Sequence, residues 1–145
     1  MEMIGWVKKN TLYIAWVQSL LSIGASLYFS EILKFPPCVL CWYQRIFMYP
    51  LAFIIPIGIL RKDKGVHLYV IPLVLAGIVT AIYHNLLYYK IIPESVAPCL
   101  KGISCTTKFI EYFGFITIPF LSFMAFATID ISMIMYNYYT KKNAK

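Results

Sequence analysis

Four apolar stretches, set apart by polar breaks, divide the chain. The first runs from Leu12 to about Leu33, with only small or uncharged polar residues before Glu31. The second runs from Cys38 to about Leu60, the third from Val66 to Tyr89, and the fourth from Phe115 to about Tyr138. Each reaches the roughly 20 residues needed to cross ~30 Å of hydrocarbon. Lipid offers no partner for backbone polar groups, so runs of this length are helices. The expected fold class is therefore an all-α membrane protein, a four-transmembrane-helix bundle, with residues 1–145 forming a single membrane domain. A cleaved leader has an apolar core of only about 7–15 residues; the first run is longer and is expected to stay as a spanning helix.

The breaks differ in kind. Arg61-Lys62-Asp63-Lys64-Gly65 is a short charged turn, and two other loops lie at about 34–37 and 90–114. In the longer loop, Thr106–Phe113 puts Phe109, Ile110 and Phe113 on one side, which predicts a short interfacial helix closed by Gly114. Pro50, Pro56 and Pro72 fall inside the second and third helices. A spanning helix tolerates proline, commonly with a kink, where neighbours satisfy the freed carbonyl.

Composition agrees with this pattern. The chain is 61% hydrophobic and only 13% charged, against roughly 25% charged in soluble proteins. Its net charge of +7 would suggest nucleic acid in a soluble domain. Here the charges gather between apolar runs, so the expected partner is the lipid bilayer and not nucleic acid. Lys8, Lys9, Arg61, Lys62, Lys64, Lys141, Lys142 and Lys145 fall on one side; Lys34, Arg45, Lys90, Lys101 and Lys108 fall on the other, over longer stretches. The positive-inside rule puts both termini in the cytoplasm. All four cysteines then face outward, where disulfides persist.

The chemistry centres on Phe35-Pro36-Pro37-Cys38-Val39-Leu40-Cys41-Trp42-Tyr43-Gln44-Arg45. The two prolines hold an extended path, and a helix is expected to start at about Cys38. Both cysteines then occupy its first turn, where unpaired N–H groups and the helix dipole favour a thiolate. Cys38, Cys41 and Arg45, at i, i+3 and i+7, share one helical face. Inert structural disulfides and a zinc site are the plainer alternatives. A C-x-x-C closes too small a loop to stabilise much, and the wider Cys99/Cys105 spacing suits a zinc knuckle poorly. Thiol–disulfide exchange accounts for more: a thiolate at Cys38 or Cys41, and a proline-bounded loop able to carry Cys99 and Cys105 to it. The chain has no C-x-x-C-H, no dinucleotide-binding glycine motif and no iron–sulfur spacing. A lipid-soluble two-electron acceptor, a quinone, is left as the natural outlet.

Arg45 is expected to hold a quinone oxygen or a thiolate, against the plainer reading that it snorkels to phosphates. His84 belongs at the same depth, near the outer end of the third helix. Gln44 is placed either on a quinone carbonyl or against a neighbouring helix. Asp130 lies far from the cysteines and is assigned a structural hydrogen bond, or else marks an earlier end of the fourth helix; His67 is expected in water beside the charged turn.

Cys38-Val39-Leu40-Cys41-Trp42-Tyr43-Gln44-Arg45 resembles the signature of the DsbB family of disulfide-bond formation proteins. Tyr83-His84, the Cys99…Cys105 loop and Gly114-Phe115-Ile116-Thr117-Ile118-Pro119 extend the resemblance over nearly the whole chain. The short second pair is most similar to the BdbC-like, Bacillus-type branch. The resemblance implies a thiol:quinone oxidoreductase of the bacterial plasma membrane, using a menaquinone- or ubiquinone-type quinone. Its partner would be an extracytoplasmic thioredoxin-like, DsbA/BdbD-like oxidoreductase. By the same resemblance Cys41 passes electrons to the quinone, and Cys38 exchanges with the loop through a transient Cys38–Cys105 disulfide. Cys99 takes the partner's attack, while Arg45 and His84 help bind quinone. One departure stands out: the family's loop between the second pair of cysteines is longer than here, which leaves the order of exchange open. A vitamin K epoxide reductase-like enzyme is the rival, but its redox pair comes late in the chain. A non-enzymatic membrane subunit with structural disulfides is the rival outside the enzymes.

Overall fold

The structure is a computed structural model and describes residues 2–96, 104–106 and 117–142. Cys99 and the expected interfacial helix at 106–113 fall wholly or largely outside the described residues. Four helices carry the chain: α1 (Glu2–Leu27), α2 (Val39–Leu60), α3 (Val66–Tyr88) and α4 (Ile118–Lys142). A π-helical turn, Tyr28–Ile32, extends α1, and a 3-10 turn, Glu94–Val96, follows α3. All four helices are long and apolar enough to span a bilayer, the first over Asn10–Ile32. This is the all-α four-helix membrane bundle expected from the sequence. α1 begins well before the expected Leu12, because nothing at Lys8 or Lys9 breaks a helix. α4 begins later and ends later than expected, at Ile118 and Lys142.

Each helix packs on its neighbours in sequence, and α4 closes the ring against α1. The core joins Ala15 of α1, Leu51 and Ile55 of α2, Val70 and Val74 of α3, and Phe126, Ile129 and Met133 of α4. Gly77 leaves room on α3 for the Phe126 ring of α4, since a Cβ there would land on that ring. The outward faces are apolar: Phe53 is 71% exposed and Val79 66%. In a membrane protein such surface faces lipid.

The helix ends explain how short connections suffice. Lys34, Lys62 and Lys90 all have positive φ, at 56°, 51° and 57°. Each lies one residue beyond a helical C-cap, a left-handed position that usually takes glycine. After α2, Asp63 N–H donates to the Gly58 carbonyl and Lys62 N–H to that of Ile59. After α3, Ile91 and Lys90 repeat the pattern on Leu86 and Leu87. Lysine also complements the negative end of the helix dipole, which offsets part of the backbone strain.

Pro56 and its neighbours show how a proline is accommodated. Lacking an N–H, Pro56 frees the carbonyl of Ala52 four residues before it. The Trp16 indole N–H crosses from α1 and donates to that carbonyl at 3.2 Å. At the far end from the cysteines, Tyr136 donates from its hydroxyl to the Asp63 carbonyl at 3.0 Å, tying α4 to the charged turn.

Candidate functional site

Pro36-Pro37 deliver an extended chain to the head of α2. Cys38 is the N-cap, with φ −72° and ψ 170°, so only Cys41 lies within the first turn. The expectation that both cysteines sit inside the helix is corrected on this point. The reason is local: the Cys38 sulfur accepts the Cys41 backbone N–H at 3.4 Å, the role that Ser or Asp oxygens play at helix starts. The two sulfurs are 3.1 Å apart, and neither is in a disulfide. Cys38 precedes the spanning segment. The Cys41 sulfur beside it, the His84 ring and the Cys41 backbone N–H all favour its thiolate. Together they hold the Cys38 thiol well below its ordinary 9.0, although burial pushes the other way.

His84, buried on α3, joins three segments. Its Nδ1 is 3.3 Å from Gln44 Nε2 on α2. Its Nε2 is 3.3 Å from the carbonyl oxygen of Cys105 and 3.7 Å from the Cys38 sulfur. A carbonyl can only accept, so Nε2 carries the hydrogen and Nδ1 accepts from the Gln44 amide. Gln44 is thus turned to α3, the second of the two placements its position suggested.

Cys105 is buried and disulfide-bonded; Cys99, its expected partner, lies outside the described residues. The Cys38 and Cys105 sulfurs and a ring nitrogen of His84 lie within 4.8 Å of one another. That is a metal-sized cluster, but a sulfur in a disulfide offers no thiolate to a metal. A thiolate-prone sulfur beside a disulfide sulfur is instead the arrangement that thiol–disulfide exchange requires.

Arg45 reaches across to α1. Its Nε donates to the Ser26 hydroxyl at 2.8 Å and its Nη2 to the Ser26 carbonyl at 3.0 Å. The guanidinium carbon lies 5.3 Å from the centre of the Trp42 ring, in cation–π range. Arg45, Cys38, Cys41, Gln44 and His84 all line one cavity of about 340 Å³ between the helices. Its α1 wall includes Gln18, Ser22, Ser26 and Ser30, and its α4 wall Leu121 and Ala125. Mostly apolar walls with a polar end beside the sulfurs suit a small lipid-soluble ring compound. The α1 stripe was missed in the sequence reading; polar residues every fourth position in an apolar run put one helical face in view.

Asp130 does not line this cavity. Its Oδ1 is buried without a hydrogen-bond partner among the described residues, so the structural bond assigned to it is not made through that oxygen. His67 is half-buried beside Tyr136, ring centroids 6.3 Å apart, and its Nδ1 is shielded from water. The solvated position expected for it is corrected accordingly.

The sequence profile described as disulfide bond formation protein DsbB matches residues 8–136. "Disulfide bond formation protein C" of Bacillus subtilis is 46% identical over 126 residues, covering 86% of this chain and 90% of the relative. "Probable disulfide formation protein C" of Halalkalibacterium halodurans is 42% identical over 127 residues, covering 88% and 93%. "Probable disulfide formation protein C 2" of Bacillus anthracis is 40% identical over 138 residues, covering 94% and 97%. No solved structure matches the chain.

Proposed function

The chain belongs to the DsbB family of disulfide bond formation proteins, and from that premise we propose that it couples dithiol oxidation outside the cell to quinone reduction in the membrane. Membership makes it a disulfide-forming oxidoreductase, and its four spanning helices make it a multi-pass membrane protein. The finer reading is that it reoxidises an extracytoplasmic thioredoxin-like oxidoreductase and so supports disulfide formation in exported proteins. One observation carries this: the Cys38/Cys41 pair lies beside the Cys105 sulfur, and all three line a largely apolar cavity that also holds Arg45.

The exchange steps balance as follows. A thiolate of the reduced partner attacks Cys99 and releases Cys105 as a thiolate. Cys105 attacks Cys38 of the oxidised C-x-x-C, forming Cys38–Cys105 and releasing the Cys41 thiolate. The partner's second thiol resolves its mixed disulfide, leaving oxidised partner and a Cys99 thiolate. Cys99 then attacks Cys105, which restores the loop disulfide and frees Cys38. The cycle then holds a Cys38/Cys41 dithiol and an intact loop disulfide. A bound quinone supplies the acceptor for the two electrons of this dithiol. Arg45 would hold it, with Gln44 and His84 in the same cavity wall. The charged turn at Arg61–Lys64 and the Lys141–Lys142 end of α4 lie away from the sulfur end. The lysine and arginine distribution favours cytoplasmic termini and outward-facing cysteines, and family membership supports a bacterial plasma membrane as the setting.

The test is substitution of each sulfur. Cys38→Ser and Cys41→Ser should each abolish quinone-dependent oxidation of a thioredoxin-like dithiol. Full activity in both variants would remove the proposal.

A further inference from the structure

The His84 ring contacts both thiol-exchange residues, Cys38 and Cys105. Its Nε2–H is shared between the Cys105 carbonyl, at 3.3 Å, and the Cys38 sulfur, at 3.7 Å. Its Nδ1 is held by Gln44 at 3.3 Å. All four residues are buried, between 3% and 7% exposed. Water therefore competes poorly for these hydrogen bonds, and each is stronger for it.

We propose that Gln44 and His84 form a positioning pair for the exchange between Cys38 and Cys105, and that quinone binding is left to Arg45. The inference rests on the thiol:quinone reading but separates its two half-reactions. Gln44 fixes the ring as the Nε2–H tautomer. That hydrogen then does two things. Through the carbonyl it holds the backbone of Cys105 beside Cys38. Through the sulfur it favours the thiolate form of Cys38. Both act where the Cys38–Cys105 bond forms, as the Cys105 thiolate displaces Cys41 from Cys38, and where it breaks, as the Cys99 thiolate displaces Cys38 from Cys105. Two electrons move with the sulfur–sulfur bond in each case, and no outside oxidant is needed. A rigid support for a reacting pair matters because small misplacements slow bond-making steps steeply.

The sequence contains the reason that this pair can form. Gln44 is three residues after Cys41, one turn down α2 on the same side. His84 is four residues before Tyr88 and three before Leu87, on the buried face of α3. An amide is the right partner for the tautomer lock, since it donates without adding charge beside a thiolate.

The test uses the full chain purified in detergent, in two backgrounds. In Cys41→Ser, the exchange open to the remaining sulfurs is between Cys99–Cys105 and Cys38–Cys105, and its approach to equilibrium is followed by acid quench and peptide mapping without reductant. No quinone is present in this arm. With Cys41 intact, the apparent KM for quinone is measured separately. His84→Ala should slow formation of Cys38–Cys105 at least tenfold while the quinone KM stays within twofold. His84→Gln, whose amide can reach the Nε2 position, should recover much of the exchange rate. Gln44→Leu should slow exchange less than His84→Ala, because the ring remains but can turn. An unchanged exchange rate with a raised quinone KM in His84→Ala would assign His84 to the quinone and overturn the proposal. Equal exchange loss in His84→Ala and His84→Gln would reduce the residue to packing and overturn it too. If the unsubstituted protein exchanges its sulfurs but never consumes quinone, the parent reading fails while this one stands.

Discussion

Arg45 is fastened to Ser26 by two hydrogen bonds, from Nε to the hydroxyl at 2.8 Å and from Nη2 to the carbonyl at 3.0 Å. The contact joins α1 to α2 and keeps a fixed positive charge in the cavity wall, where, on the proposed function, it would meet a quinone oxygen. Arg45→Ala should raise the apparent KM for quinone tenfold or more, with little change in Cys38–Cys105 exchange. Ser26→Ala removes one of the two tethers and should raise the KM by a smaller factor, about threefold to tenfold, as expected for loss of a charge-assisted hydrogen bond of roughly 1 kcal/mol. Steady-state kinetics at varied quinone check both. An unchanged constant in Arg45→Ala would return the residue to an anchoring role.

The Cys38 thiol should titrate well below its ordinary 9.0 because the Cys41 thiol, the His84 ring and the Cys41 backbone N–H all favour its thiolate. A depressed value means that the thiolate persists as pH falls from 9 and is lost only on passing through the lowered value. Alkylation of Cys38 by iodoacetamide, followed by mass spectrometry, should therefore stay fast through neutral pH. Cys41→Ala removes the largest contribution and should move the midpoint up toward 9. A midpoint near 9 in the unsubstituted chain would contradict this description of the pair.

The Trp16 indole replaces the backbone donor that Pro56 lacks, reaching the Ala52 carbonyl at 3.2 Å. Trp16→Phe leaves that carbonyl unpaired in an apolar environment and should destabilise the bundle by about 1–3 kcal/mol. Pro56→Ala returns an N–H to α2, so the same Trp16→Phe change should matter much less in that background. Unfolding in detergent, run as a double-mutant cycle, reads the coupling. Equal losses in both backgrounds would show that the indole contributes packing alone.

Much of the fold was legible because lipid imposes a length rule that few other environments impose. Apolar runs of about 20 residues have one economical conformation, so four helices followed from Leu12, Cys38, Val66 and Phe115 onward. The end of α1 was harder to read. Its last residues form a π-helical turn that stops at a left-handed Lys34, and no glycine marks the stop. At the site, Cys38, Cys41 and Arg45 were visible as one helical face, and the cavity brings all three together. The partners of Arg45 and His84 were not visible. Ser26 lies nineteen residues from Arg45 and Gln44 forty from His84, so their meeting depends on how α1 and α3 rotate against α2. The N-cap role of Cys38 was missed because a sulfur seldom takes the place of Ser or Asp there.

Topology offers a check that is independent of kinetics. With both termini in the cytoplasm, a membrane-impermeant maleimide added to intact reduced cells should label a cysteine placed at Lys90 and spare one placed at Lys64. The reverse pattern would put the sulfur pair on the wrong side of the membrane for disulfide formation in exported proteins.

The central claim is that a dithiol delivered at the membrane surface empties its electrons into a lipid-soluble carrier through Cys38 and Cys41. Quinone absorbance, followed after mixing the purified chain with quinone and a reduced thioredoxin-like protein, measures this directly. One quinone should be consumed for each disulfide formed, and none when Cys41 is replaced by serine. Disulfides formed with the quinone absorbance unchanged would contradict the claim.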